Sequence, residues 1–193
     1  MGCCPHRNPR RLPGPTEEAA LMLQQSPKFS IAWCMPSKWT FSMPPVSQFL
    51  DRWLDGCDVV ADPFSGRSTR ASLRNDLGFG GIHAEDFCKS LDEASCDAVL
   101  FDPPYSPRQI SECYKSIGLK AAMADTQNGA LYARVRAPLL RALKPGGIAL
   151  SFGWQSSGFG RALTTLEVLL VQHGGAHNDT ICVAQRKPRD LFS

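Results

Sequence analysis

The sequence predicts an α/β domain built on a mostly parallel sheet of the seven-stranded type, closed at its C-terminal end by an antiparallel hairpin. Three observations predict it. The runs "DVVADPF" (58–64), "CDAVLFD" (96–102) and "IALSFGW" (148–154) are continuously apolar rather than alternating, as in strands buried on both faces. Helical stretches lie between strand-like runs, as parallel crossovers require. Only "GGAHND" (174–179) separates "LEVLLVQH" (166–173) from "TICVAQR" (180–186), far too short for a crossover, so those two strands pair antiparallel.

The elements follow in order. Residues 1–15, "MGCCPHRNPRRLPGP", hold four prolines and three arginines with almost nothing apolar to bury, which predicts a basic N-terminal arm. A single domain is expected over 16–193. "TEEAALMLQQ" has Thr16 as N-cap and two acids in its first turn, predicting a short helix over 16–25. "SIAWCMPSKWTFSMPP" (30–45) reads as too proline-rich for a long regular element. From Pro45, Val46, Phe49, Leu50, Trp53 and Leu54 form one apolar helical stripe that ends near Gly56. "ASLRND" (71–76) reads as a short strand. "GALYARVRAPLLRAL" (129–143) reads as a helix that Pro138 should kink and "KPGG" (144–147) should stop.

The totals exclude several classes. At 193 residues the chain suits one sizeable core. No apolar run approaches the roughly 18 residues of a membrane span, and the N-terminus lacks a secretory apolar core, so no membrane association and a cytoplasmic location are expected. The eight cysteines are scattered without a C-x-x-C pair, which predicts free, mostly buried thiols. "MGCC" is followed by His6 where a myristoylation signal needs Ser or Thr. His173 and His177 are four apart, but two glycines lie between them, so no metal site is expected. A net charge of +3 permits a nucleic-acid partner without demanding one.

Ligands of open α/β sheets sit beyond the carboxyl ends of the strands. "DPFSGRST" (62–69), Asn75 with Asp76, and "DPPY" (102–105) all end strands and therefore share one rim. Asp62 with Gly66 meets the needs of a nucleoside-cofactor loop: a carboxylate for an ammonium or hydroxyl, and a bare position where backbone nears ligand. No Gly-Lys-Ser/Thr follows, which argues against a nucleoside triphosphate. In dinucleotide folds a ribose-binding acid lies about 20 residues on, and Asp76 and Glu85 compete for that role. Asp76 is favoured because it directly ends a strand-like run; Glu85 or Asp86, expected at the next strand end, would then face an adenine amine.

The double proline after Asp102 carries the chemistry. A nucleobase amine is a poor nucleophile because its lone pair is delocalised into the ring. An Asp carboxylate and a proline carbonyl that each accept one N–H favour the positive charge developing on nitrogen. Pro103 and Pro104 fix φ and donate no backbone proton, leaving carbonyls aimed into the cleft. Tyr105 offers a face for a base that has left its duplex.

"DPPY" with "DPFSG" upstream closely resembles the amino-methyltransferases that modify adenine N6 or cytosine N4 in DNA, whose adenine branch begins its motif with Asp. "KWTFSMPPVSQFLDRW", "NDL", "FDPPYSPRQISECY", "LKPGGIALSFGW" and "HGGAHNDTI" resemble short phage-type adenine-specific DNA methyltransferases. The resemblance implies the Rossmann-like class I methyltransferase fold, S-adenosylmethionine as cofactor, duplex DNA with a flipped base as partner, and a bacterial or phage-infected cell as the setting. It places Lys38, Thr40 and Phe41 at the methionine part of the cofactor, Asp62, Pro63, Phe64 and Gly66 in the cofactor loop, and Asp102, Pro103, Pro104 and Tyr105 in the catalytic turn. The family loop often reads Gly-Ser-Gly-Thr; here Arg67-Ser68-Thr69 follow Gly66, one glycine fewer and one cation more.

The short interval between Thr69 and Pro104 leaves no room for a target-recognition domain. Sequence readout is therefore expected from rim loops, through Arg108, Gln109 and Lys115 in "SPRQISECYKSIGLK" (106–120) and His177 and Asn178 in "GGAHND". Trp154 is expected to serve packing. Two alternatives stand beside DNA adenine methylation: methylation of a base amine in structured RNA, and a catalytically silent methyltransferase-like binding subunit.

Overall fold

The computed structural model of the protein describes residues 26–116, 118, 128–175 and 177–189. The expected arm over 1–15 and helix over 16–25 lie outside the described residues.

Seven strands form one sheet: β1 (Lys28–Trp33), β2 (Val60–Asp62), β3 (Leu73–Arg74), β4 (Cys96–Phe101), β5 (Leu143–Gly153), β6 (Thr164–Gln172) and β7 (Thr180–Arg186). Their order is β1-β6-β7-β5-β4-β2-β3. β1–β6, β2–β3, β2–β4 and β4–β5 pair parallel, whereas β7 is antiparallel to both β5 and β6. This is a Rossmann-like sheet with the C-terminal antiparallel hairpin that the short 174–179 connection dictates.

Side chains alternate across β4. Ala98 and Leu100 join one core cluster with Val46, Phe49 and Leu50 of helix α1 (Pro44–Leu54). Val99 and Phe101 join the other, with Cys88 of α2 (Ala84–Ser90) and Val135 and Leu139 of α4 (Asn128–Ala142). The sheet is thus covered on both faces, which is why its central strands read as unbroken apolar runs. Each fully buried Phe or Leu contributes roughly 1.5–3 kcal/mol. Helix α1 begins with Pro44 and Pro45, whose fixed φ and missing N–H suit a first turn.

β1 is a short strand not assigned from sequence, overlapping the proline-rich stretch only at 30–33; its apolar Phe29, Ile31 and Trp33 are exposed, while Ala32 packs against the cluster that holds α1. Three expectations are corrected. β5 begins at Leu143 rather than at Ile148, because "KPGG" bulges from the ladder while Leu143 already pairs with Cys96. Glu85 and Asp86 lie in the first turn of α2, where their charge suits the helix dipole, and not at a strand end. The stretch read as a loop from 106 contains α3 (Pro107–Ser116). Helix α4 runs through Pro138.

Cys34, Cys57, Cys88, Cys96 and Cys182 are free thiols, three of them buried. Among the described residues, no helix is long and apolar enough to cross a membrane.

Candidate active site

The chain leaves β2 toward β3 on one side, then returns to add β4 on the other. The crevice between the carboxyl ends of β2 and β4 is the place such sheets bind ligands. A cavity of about 1120 Å³ opens there.

One wall is the loop after β2. Asn75, at the end of β3 and buried, ties this loop to its neighbour: its amide nitrogen donates to the carbonyls of Pro63 (3.3 Å) and Ile82 (3.0 Å), and its amide oxygen accepts from Ile82 N (3.0 Å). Asp76 accepts from Gly66 N (2.9 Å) through Oδ2 and from Gly78 N (2.8 Å) through Oδ1. Both of its oxygens are thus already engaged by backbone, each with a lone pair to spare. Gly66 sits at φ +52°, and a Cβ there would lie 3.1 Å from the Trp39 ring, so glycine is required on two counts.

Asp62 is fully buried behind this loop and does not line the cavity. Its Oδ1 accepts from Phe64 N at 2.9 Å, while Oδ2 is buried with no hydrogen-bond partner. Burial pushes the carboxyl up to about 7, opposed by the Phe64 N–H and reinforced by Asp102 and Asp76.

The facing wall is the double-proline turn. The Tyr105 hydroxyl donates to Asp102 Oδ1, and the Thr40 hydroxyl also hydrogen-bonds Asp102. Burial raises the Asp102 carboxyl to about 6 against these two hydrogen bonds. Burial, then the neighbouring Asp102 charge, holds the Tyr105 phenol well above its ordinary value. Gln109 Oε1 accepts from Tyr105 N (2.7 Å) and Ser106 N (3.2 Å), so much of its polar capacity shapes the turn. Tyr132 of α4 donates to the Pro104 carbonyl at 3.1 Å and sets its ring against Phe101. Trp154 packs beside Tyr105, ring centroids 5.6 Å apart; it is 45% exposed and does not line the cavity.

Of the residues singled out from sequence, the cavity gathers Lys38, Thr40, Phe41, Pro63, Phe64, Gly66, Asp76, Glu85, Asp86, Asp102, Pro103, Pro104, Tyr105 and Gln109. Glu85 is held in ion pairs by Lys89 (2.7 Å) and Arg134 (3.2 Å); its carboxyl is lowered mainly by the Lys89 hydrogen bond. Arg108, Lys115, His177 and Asn178 do not line the cavity, and Arg108 is paired with Glu112 at 2.8 Å. Sequence reading gave no role to Tyr132, whose contacts reach far along the chain, where no local pattern signals them.

No family model matches the chain, and no curated protein matches it either. Among solved structures, TrmN from Thermus thermophilus superposes with a TM-score of 0.50 at 18% identity, over 75% of this chain and 49% of that one. The chain therefore spans about half the length of TrmN. The 1,6-didemethyltoxoflavin-N1-methyltransferase of Burkholderia thailandensis, solved with 1,6-didemethyltoxoflavin and S-adenosylhomocysteine, gives 0.47 at 16% identity over 75% and 77%. At 18% identity the likeness to TrmN is one of fold alone.

Proposed function

We propose that the protein is an S-adenosylmethionine-dependent methyltransferase acting on the N6 amine of an adenine flipped out of duplex DNA. One observation carries this reading. The loop at 63–69 and the turn at 102–105 wall the same cavity, and its volume of about 1120 Å³ exceeds the roughly 300–1,000 Å³ of a typical single-ligand pocket. A nucleoside cofactor and a base fit side by side.

The residues suit the cofactor. Gly66 lines the cavity, while Asp62 lies behind the loop with its Oδ2 buried and unpartnered. Asp76 keeps lone pairs for ribose hydroxyls, and Asp86 offers a carboxylate on the same wall. Thr40 and Phe41 flank the turn and the loop. When bound, S-adenosylmethionine supplies an electrophilic methyl group on a sulfonium.

Asp102 accepts one N–H of the substrate amine and the Pro103 carbonyl accepts the other, drawing the lone pair out of conjugation and favouring the charge that develops on nitrogen. Tyr105 presents a face for the base. No side chain needs to act as a strong base, because the amine loses its proton after it is alkylated. Gln109 on the wall, with Arg108, Lys115, His177 and Asn178 beyond it, would meet the flanking DNA.

The test is incubation with S-adenosylmethionine and unmodified DNA, followed by nucleoside mass spectrometry. N6-methyladenine is expected. Methyl groups found only in parallel transfer or ribosomal RNA reactions would replace DNA by RNA. No product and no binding heat with S-adenosylhomocysteine would leave a silent binding subunit.

A further inference from the structure

We propose that Arg67 and Lys38, held on the indole of Trp39, grip the sugar–phosphate backbone of DNA beside the flipped nucleotide; the proposal rests on the methyl-transfer reading above. The Arg67 guanidinium lies 5.2 Å and the Lys38 ammonium 5.3 Å from the Trp39 ring. Both cations are exposed, and both line the cavity. Among the described residues neither has a carboxylate within ion-pair distance. The next cation on this lip, Arg70, is occupied by Asp51 and Ser47.

Three features point to a polyanion that passes across the lip. Two like charges each lie within 5.3 Å of one indole, and an anion beside them relieves their mutual repulsion. The indole restricts both long side chains, so less entropy is lost when they engage phosphate. Phe79, 55% exposed and 6.2 Å from Trp39 ring to ring, adds an apolar face beside the cations, and charge interleaved with exposed rings is how proteins track an unpaired strand. Gly66 lies against the same indole, where a Cβ would come within 3.1 Å of the ring.

Salt dependence of binding reads this directly. A short fluorescent DNA duplex is titrated by anisotropy at several NaCl concentrations, with S-adenosylhomocysteine present. Removing one cation from a phosphate should flatten the plot of log K against log[salt] by about 0.9. Arg67→Ala should flatten it by about that amount and Arg67→Ala/Lys38→Ala by about twice as much, whereas Arg67→Lys keeps the wild-type slope. Affinity of Arg67→Ala for S-adenosylhomocysteine, by calorimetry, should stay within about twofold, since the proposed grip is on phosphate.

An unchanged slope in the double variant overturns the clamp, as does loss of cofactor affinity in Arg67→Ala. If the wild type methylates DNA yet the slopes coincide, the clamp alone falls. If the wild type binds no duplex DNA at any salt, clamp and DNA reading fall together. Tighter binding to an RNA duplex of the same sequence overturns the assignment to DNA.

Discussion

The Tyr132 hydroxyl lies 3.1 Å from the carbonyl oxygen of Pro104, so helix α4 is hydrogen-bonded directly to the double-proline turn. This bond sorts the two proline carbonyls. That of Pro104 is already satisfied, which leaves that of Pro103 for a substrate amine.

Tyr132→Phe removes the bond and keeps the ring against Phe101. The turn loses about 1 kcal/mol of support. The expected result is a kcat lowered about tenfold, in line with a small misplacement of reacting groups, with the cofactor dissociation constant unchanged. Single-turnover transfer beside calorimetry measures both.

Asp102→Ala removes the carboxylate proposed to polarise the amine. Loss of one preorganised electrostatic partner typically costs about 10²–10³ in kcat, and this variant should lose at least that much while still binding S-adenosylhomocysteine. Asp102→Asn keeps one acceptor oxygen and should lose less. Initial rates with tritiated cofactor measure the order.

Only the ionised Asp102 accepts two hydrogen bonds without donating one, and its carboxyl is raised to about 6 by burial. Below pH 6 the protonated form dominates, so kcat/KM should fall about tenfold per unit there and level off above pH 7. The Tyr105 hydrogen bond lowers this carboxyl, so Tyr105→Phe should move the acid limb upward. Asp62, raised to about 7 and coupled to Asp102, makes the observed values those of the pair. A pH–rate profile of wild type and Tyr105→Phe tests the direction.

Glu167 of β6, 1% exposed, joins β1 to α1 by accepting from Arg52 (3.0 Å) and Trp53 (2.9 Å), with Lys28 at 3.3 Å. Burial alone would push its carboxyl up, but hydrogen bonds from Arg52 and Trp53 outweigh it and hold it low. Because Arg52 and Lys28 are about half-exposed or more, the expected cost of Glu167→Gln is about 1–2 kcal/mol, below that of a fully buried pair. A group lowered in the folded state gives its stability above the unfolded value and loses it as pH falls. The gap in Tm between variant and wild type should therefore narrow from pH 7 toward pH 3, while cofactor affinity stays constant.

The central sheet was legible because β4 and β5 are buried on both faces and say so with unbroken apolar runs, and because a six-residue connection permits only a hairpin. β1 was not, since its large apolar residues alternate with small ones and face away from the described core. The rim position of Asp76 and of the 102–105 turn followed from strand ends alone. Asp62 is one residue too deep for that rule: it ends β2 yet lies behind the loop it begins. Tyr132 reaches the site from a helix distant in the chain, and such contacts leave no local pattern to read.

The most direct test is the structure of the complex with S-adenosylhomocysteine. The account predicts the ligand between the loop at 63–69 and the turn at 102–105, its ribose toward Asp76 and its sulfur facing Asp102. A ligand bound on any other surface, or one whose sulfur points away from Asp102, would contradict it.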